Sequence, residues 1–199
     1  MTRARVAQKA PAHEVDLTEF PTARPKGVVV RAHSRGFGPW YFANVGAGRF
    51  DLREQRGTCY AADTVRTAVR ERLGESSVTS KIVAFDDADA MCISLLELPS
   101  DFRAAAISAP GADDFPVTGF DGINYRSRFA ISEAAECWAI FGPAGAHPER
   151  PVAHMHVMDG HSACAEAGLT VTPPPPTSPT ALTVTLPPGV KVAPRRSRD

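Results

Sequence analysis

The segment that most constrains the fold is TCYAADTVRTAVRERLGE, residues 58–75. It starts as a short strand-like run and continues into a stretch with a clear helical period. Asp63 is a good N-cap and Gly74 a good C-terminal stop, so we predict a helix over residues 64–73. One side of this helix must pack on a core, because its apolar residues recur at helical spacing. These residues are Val65, Ala68, Val69 and Leu73.

Short strands surround this helix. The segment GVVVRAHS is typical of a buried strand, and further strands or strand ends are predicted at KIVAFD, MCISLLEL, GINYRSRF, ECWAIFG and VAHMHVMD. The run AISEAAECWAI fits equally well a helix that enters a strand. Because the strands do not alternate with helices, we predict an α+β fold rather than a doubly wound sheet.

Changes in composition divide the chain into three parts. Residues 1–24 are polar and are predicted to form an N-terminal arm, residues 25–162 the compact domain, and residues 163–199 a Pro-rich C-terminal tail. Within the domain, residues 35–58 form a glycine-rich stretch without a clear period. Its aromatic residues indicate an ordered binding loop rather than a disordered one.

The charge balance and the cysteines limit the classes of function. The chain contains 22 basic and 22 acidic residues, so no overall field favours nucleic acid or an anionic membrane. The N-terminal residues lack the apolar core of a signal peptide, and no stretch approaches the length of a spanning helix. The four cysteines are widely spaced and are predicted to be reduced core residues. We expect a cytoplasmic protein.

Glu71 has an unusual position on the predicted helix. It lies more than a quarter turn from the apolar stripe, and small residues precede it on its side of the helix. It also has no Lys or Arg three or four residues away to pair with. Helix geometry alone favours a solvated surface glutamate, and a carboxylate that faces a cleft is the alternative.

Three further features lie in a fixed order around the helix. Arg31 ends the first strand, GAGRF at residues 46–50 precedes the helix, and GFDGINYRSRF at residues 119–129 follows it. This succession resembles the RES domain, a bacterial toxin family named for its arginine, glutamate and serine. The resemblance covers about residues 26–160, and the ordered set of motifs is more specific than any one of them.

The resemblance implies an ADP-ribosyltransferase-like fold, with small, mostly antiparallel sheets and flanking helices around an NAD⁺ cleft. Members of the family break the nicotinamide–ribose bond of NAD⁺, which implies phosphorolysis or hydrolysis with NAD⁺ as substrate and inorganic phosphate as a possible second substrate. No cofactor is implied. The implied partner is a cognate antitoxin protein, without direct contact to nucleic acid or a membrane.

The resemblance also implies roles for particular residues. Arg31, Glu71 and Ser127 are the expected catalytic residues, and Arg31, Arg49, Tyr60 and Ser127 the expected NAD⁺-binding residues. Carboxylates suit this chemistry because loss of nicotinamide leaves an oxocarbenium-like ribose. Arginines can hold the pyrophosphate through paired hydrogen bonds, and a tyrosine can stack on nicotinamide or border the ribose.

Two positions depart from the family pattern. Val30 precedes Arg31 where an aromatic residue is common, and Asp51 follows the GRF motif where a neutral residue such as asparagine is expected. An additional carboxylate beside a phosphate-binding arginine is expected to weaken the affinity for NAD⁺.

Other functions remain open on the sequence. The main alternative is transfer of ADP-ribose to a protein, but related transferases often carry a second carboxylate two residues before the catalytic one, where this chain has Val69. HMHVMDGHSAC at residues 154–164 offers possible metal ligands without a fixed spacing, so we assign no metal site. The segment TPPPPTSP can form a polyproline spacer or bind a partner as an interaction module.

Overall fold

A computed structural model describes residues 19–107, 119–129 and 135–174. None of the helices among these residues has the length and hydrophobicity of a membrane-spanning segment. In chain order the elements are β1 (Thr22–Ala23), β2 (Val29–Ser34), β3 (Tyr41–Phe42), β4 (Arg56–Ala62), α1 (Val65–Leu73), α2 (Glu75–Thr79), β5 (Ile82–Val83), α3 (Phe85–Asp89), β6 (Met91–Leu96), β7 (Ala104–Ala106), β8 (Gly122–Arg126), β9 (Glu136–Pro143), β10 (Gly145–Ala146), β11 (Val152–Asp159), α4 (Gly160–Glu166) and β12 (Thr170–Val171).

Most strands belong to one eight-stranded sheet with the order β1-β7-β8-β9-β4-β2-β6-β11. All neighbours in it are antiparallel except β7 and β8. Two small sheets, β10-β3 and β12-β5, complete the described part of the chain. This mixed architecture of many strands and few helices agrees with the predicted α+β class.

The predicted helix is present as α1, with one difference at its start. The N-cap is Thr64 and not the predicted Asp63, because the Thr64 hydroxyl accepts a hydrogen bond from the Thr67 N–H group. The helix ends at Gly74, as predicted, and this glycine has a φ of 64° that other residues rarely adopt. Asp63 lies one residue too early for its carboxylate to take the cap position.

The large sheet buries apolar side chains on both faces. Helices α1 and α4 pack on one face through residues that include Val69 and Ile93, both fully buried. The other face carries a second cluster that includes Phe42 and Trp138. Complete burial of side chains of this size stabilises the fold by about 1.5–3 kcal/mol each. The four cysteines are all free and buried, which confirms their prediction as core residues.

The sheet opens between two neighbouring inner strands, β4 and β2. Strand β2 pairs with β6 along its whole length, and β4 pairs with β9 along its whole length. Between β2 and β4, however, the registered pairing is confined to Val30 and Ala62. A cleft therefore lies beside this single pair, in the middle of the sheet.

The compact part of the chain is longer than predicted. Strand β1 pairs with β7, so the sheet already includes residues assigned to the N-terminal arm. The predicted start of the C-terminal tail at residue 163 is too early, because α4 and β12 continue the domain past that residue. Cys164 and Ala167 are fully buried there, and the helix is too short to show a helical period in the sequence. The Pro-rich residues 175–199 lie outside the described residues.

Candidate active site

The described residues enclose a cavity of about 500 Å³ at the opening between β2 and β4. This volume lies within the range of about 300–1,000 Å³ that is usual for small-molecule sites. Four of the five predicted site residues line it, namely Arg31, Arg49, Tyr60 and Glu71. The fifth, Ser127, joins the site through a hydrogen bond to Glu71. The fold thus brings together residues that are up to 96 positions apart, from Arg31 to Ser127.

The carboxylate of Glu71 is held at both oxygens. The Ser127 hydroxyl donates a hydrogen bond of 2.6 Å to Oε1, and the Tyr125 hydroxyl donates one of 3.0 Å to Oε2. Hydrogen bonds to an ionised acceptor are among the stronger ones in proteins. Glu71 is half-buried and is therefore fixed against the end of β8 rather than free in solvent.

The sequence of β8 explains how both donors reach Glu71. Tyr125 and Ser127 are two residues apart, so they lie on the same side of an extended chain. The Ser127 oxygen also accepts a hydrogen bond of 3.1 Å from the Phe129 N–H group, which leaves the hydroxyl proton for Glu71. Burial, followed by the nearby Cys137 and Glu71, raises the pKa of Tyr125 far above its ordinary value. Its phenol therefore stays a donor. The role of Tyr125 was missed from the sequence, although its spacing to Ser127 was the signal.

Arg31 is a buried cation on the wall of the cavity. It is 8% exposed, its Nη2 donates to the backbone oxygen of Tyr41 at 2.7 Å, and its Nη1 contacts the Cys59 sulfur. Its buried Nε has no hydrogen-bond partner in the described part of the chain. Burial, and then the charge of Arg72, lower the pKa of Arg31 to about 9, so it remains a cation at neutral pH.

Arginines dominate the charge of the cavity. Glu71 is the one carboxylate among the described lining residues, against five arginines, which are Arg31, Arg49, Arg72, Arg126 and Arg128. Such a lining attracts anions although the net charge of the whole chain is zero. The sequence motifs indicated only Arg31 and Arg49 of this set. The other three come from α1 and from the segment around the end of β8.

Tyr60 and Asp51 hold the loop that carries the GRF motif. The Tyr60 hydroxyl accepts a hydrogen bond of 2.9 Å from the Phe50 N–H group and donates one of 2.9 Å to Asp51 Oδ1. Asp51 Oδ2 accepts a further bond of 2.8 Å from the Gly48 N–H group. A Cβ atom at Gly48 would lie 2.5 Å from both Asp51 and Tyr60, so a larger residue would displace these two side chains from their present hydrogen bonds. The Asp51 carboxylate, unexpected from the family pattern, thus serves to fix the loop.

We expect Asp51→Asn to destabilise this loop. The amide provides one acceptor oxygen in place of two, so either the Tyr60 hydroxyl or the Gly48 N–H group loses its partner. The expected loss in the free energy of unfolding is about 1 kcal/mol, measured by chemical denaturation. Asp101→Asn, at an exposed carboxylate, is the matched control. Equal stability of the two variants would contradict this role of Asp51.

The predicted binding loop divides into two sets of aromatic residues. Phe37, Tyr41 and Phe50 line the cavity, and the rings of Phe37 and Tyr41 are stacked with centroids 4.6 Å apart. Trp40 and Phe42 are buried in the core instead. Phe37 is 56% exposed, so the stacked pair presents a ring surface to the opening. An aromatic face of this kind suits a planar base.

The possible metal ligands noted near the end of the domain do not form one site. They are His154, His156, Asp159, His161 and Cys164. Cys164 is fully buried on the inner side of α4, whereas His154 is exposed on β11. The Asp159 carboxylate caps α4 by accepting from Ser162. The set therefore does not converge on one ion.

The chain was compared with known proteins. The model of the RES domain matches residues 4–159, which is well over half of the 199 residues. No curated protein and no solved structure matches the chain. The matched segment contains Arg31, Glu71 and Ser127, and it suggests a toxin-like function related to NAD⁺. The chain therefore belongs to the RES domain family, which is associated with enzymes that act on NAD⁺.

Proposed function

We propose that this chain binds NAD⁺ in the cavity between β2 and β4 and cleaves its nicotinamide–ribose bond by phosphorolysis or hydrolysis. One observation carries the proposal: the Glu71 carboxylate, held by two hydroxyl donors, lies in a cavity whose other charged lining residues are arginines. The family resemblance implies an NAD⁺ cleft between small sheets, whereas this cavity lies where one large sheet opens between β2 and β4. In this proposal NAD⁺ is a substrate, and no cofactor is needed.

The arginines fit the pyrophosphate of NAD⁺. Arg31 is held rigidly by Tyr41 and Cys59, so its remaining N–H groups are already oriented when a ligand arrives. Arg49 is exposed, and its guanidinium lies 4.9 Å from the centroid of the Phe50 ring. Guanidinium groups bind phosphate oxygens in pairs of charge-assisted hydrogen bonds, which supports both residues as ligands of the pyrophosphate.

Glu71 fits the reacting ribose. When nicotinamide leaves with the electron pair of the broken bond, positive charge develops on the sugar, and a fixed carboxylate stabilises it. Ser127 and Tyr125 keep Glu71 oriented, so little reorganisation is needed in the transition state. Water or inorganic phosphate then attacks C1 of the ribose. The products are nicotinamide with ADP-ribose or with its phosphate ester.

Transfer of ADP-ribose to a protein is the second candidate and is less well supported. Transferases of related fold often use a second carboxylate two residues before the catalytic glutamate. Val69 occupies that position and is fully buried in the core under α1. Its side chain can neither face the cavity nor orient an acceptor. This favours a small nucleophile.

The proposed activity would consume NAD⁺ in the cytoplasm, so it requires restraint. As the family resemblance implies, we infer a cognate antitoxin protein as the neutralising partner, and neither nucleic acid nor a membrane as a direct ligand. The whole chain carries no net charge and so has no overall field toward nucleic acid or an anionic membrane, and the five arginines of the cavity are assigned to NAD⁺ in this proposal.

We expect the purified chain to release nicotinamide from NAD⁺. The assay follows nicotinamide by chromatography, with and without inorganic phosphate, and identifies the second product by its mass. Free ADP-ribose indicates hydrolysis, its phosphate ester indicates phosphorolysis, and ADP-ribose on a protein in a bacterial lysate indicates transfer. Intact NAD⁺ after long incubation without phosphate, with phosphate and with the bacterial lysate would contradict the proposed function.

A further inference from the structure

A second group of chemically reactive side chains lies where β2, β6 and β11 meet. His33 and Cys92 are directly opposite each other in the register of β2 and β6, and both are buried. The Cys92 sulfur lies 3.6 Å from each ring nitrogen of His33. His156 of β11 completes the group, with its ring centroid 5.8 Å from that of His33. One potential ligand atom from each residue lies within 4.8 Å of the others.

An irregularity in β11 places His156 in this group. The register of β11 against β6 shifts between His154 and Met158, so the strand bulges there. His156 has a φ of 49°, which non-glycine residues seldom adopt. Its N–H group donates a hydrogen bond of 3.1 Å to the Ser94 hydroxyl instead of a backbone carbonyl. Bulges of this kind redirect a side chain, and strained backbone is concentrated at functional sites.

The hydrogen bonds of His33 leave one ring nitrogen as a ligand. Nδ1 lies 3.1 Å from the backbone oxygen of Ser34, which can only accept, so Nδ1 carries the proton. Nε2 is then the acceptor, and its present partner is the Ser94 hydroxyl at 3.0 Å. A histidine that binds a metal through one nitrogen usually donates from the other to a carbonyl or carboxylate. His33 already has this arrangement.

We propose that His33, Cys92 and His156 bind one Zn²⁺ ion. Two imidazoles and a thiolate are ligands that zinc prefers, and three protein ligands leave a fourth, open position. On binding, Cys92 loses its proton to solvent, and the metal replaces the Ser94 hydroxyl as partner of His33 Nε2. His156 is exposed and provides the route of entry. The site is separate from Glu71, although His33 also lines the cavity.

The test uses the full chain, freed of metal with a chelator and titrated with Zn²⁺ against a chromophoric chelator. One equivalent is expected to bind. His156→Ala is expected to weaken Zn²⁺ binding by more than about tenfold. Replacing a residue that only hydrogen-bonds to a metal ligand already weakens metal binding by about that much, and His156 is proposed to bind the metal directly. His154→Ala is the matched control, because His154 is exposed on the same strand and lies outside the group.

Cys92 is tested separately because it is buried and its variants are more prone to misfold. Co²⁺ bound to the intact chain is expected to show the absorption of a thiolate–cobalt bond, and His156→Ala is expected to weaken it. Absence of stoichiometric Zn²⁺ binding to the intact chain would overturn the proposal. So would equal weakening by His154→Ala and His156→Ala, or Co²⁺ binding without the thiolate band.

Discussion

Replacing Glu71 with glutamine is expected to lower the rate of nicotinamide release from NAD⁺ by about 10²–10³-fold. Glutamine has nearly the same shape, so it can still accept a hydrogen bond from Ser127 or Tyr125. It carries no negative charge, however, and cannot stabilise the positive charge that develops on the ribose. The rate at saturating NAD⁺ is the quantity to measure, because it reports the chemical step rather than binding.

Two measurements separate this effect from a loss of structure. Glu97→Gln changes an exposed glutamate just after β6, outside the cavity, and is expected to keep the wild-type rate. The free energy of unfolding of Glu71→Gln is expected to be about 1 kcal/mol lower than that of the wild type. The NH₂ group of glutamine cannot accept the hydrogen bond that the Ser127 or the Tyr125 hydroxyl donates to the carboxylate of Glu71. A folded Glu71→Gln protein with more than half of the wild-type rate would contradict the assignment of Glu71.

The local features of the site were predictable from the sequence. The position of Glu71 beside the apolar stripe of α1 follows from the helical period. The alternation that places Ser127, just after β8, on the same side of the chain as Tyr125 follows from the period of an extended chain. The order of the motifs identified Arg31, Arg49 and Tyr60 as further members, and all three line the cavity. What these residues contact was less predictable. Tyr60, expected to touch nicotinamide or ribose, has its hydroxyl bonded within the loop to Phe50 and Asp51.

The features that depend on strand pairing were not predictable. The cavity exists because β2 and β4 pair only at Val30 and Ala62, and no local pattern specifies where two distant strands separate. The contribution of Arg72 and Arg128 to the cavity was not predictable either, because they reach it from different parts of the chain. The group of His33, Cys92 and His156 was also invisible in the sequence, because its members come from three strands. The HMHVMD motif was recognised, but with the wrong partners.

Arg31→Lys is expected to lower kcat/KM for NAD⁺ by about 10–150-fold, mainly by raising KM. Lysine keeps the charge but not the planar fork, so it cannot contact Tyr41, Cys59 and a phosphate oxygen at the same time. The hydrogen bonds that charged groups make contribute about 1.5–3 kcal/mol each, which corresponds to this range of affinity. The measurement is the dependence of nicotinamide release on NAD⁺ concentration.

Arg24→Lys is the matched control for this prediction. Arg24 also donates to a backbone carbonyl, that of Ser100, but it lies beside β1 and outside the cavity. Its replacement is therefore expected to leave both kcat and KM unchanged. If Arg31→Lys instead lowered kcat at constant KM, Arg31 would act on the transition state and not as a binding residue for the pyrophosphate. Its buried charge would then serve the departure of nicotinamide, and the phosphates would depend on the exposed arginines, Arg49 and Arg128.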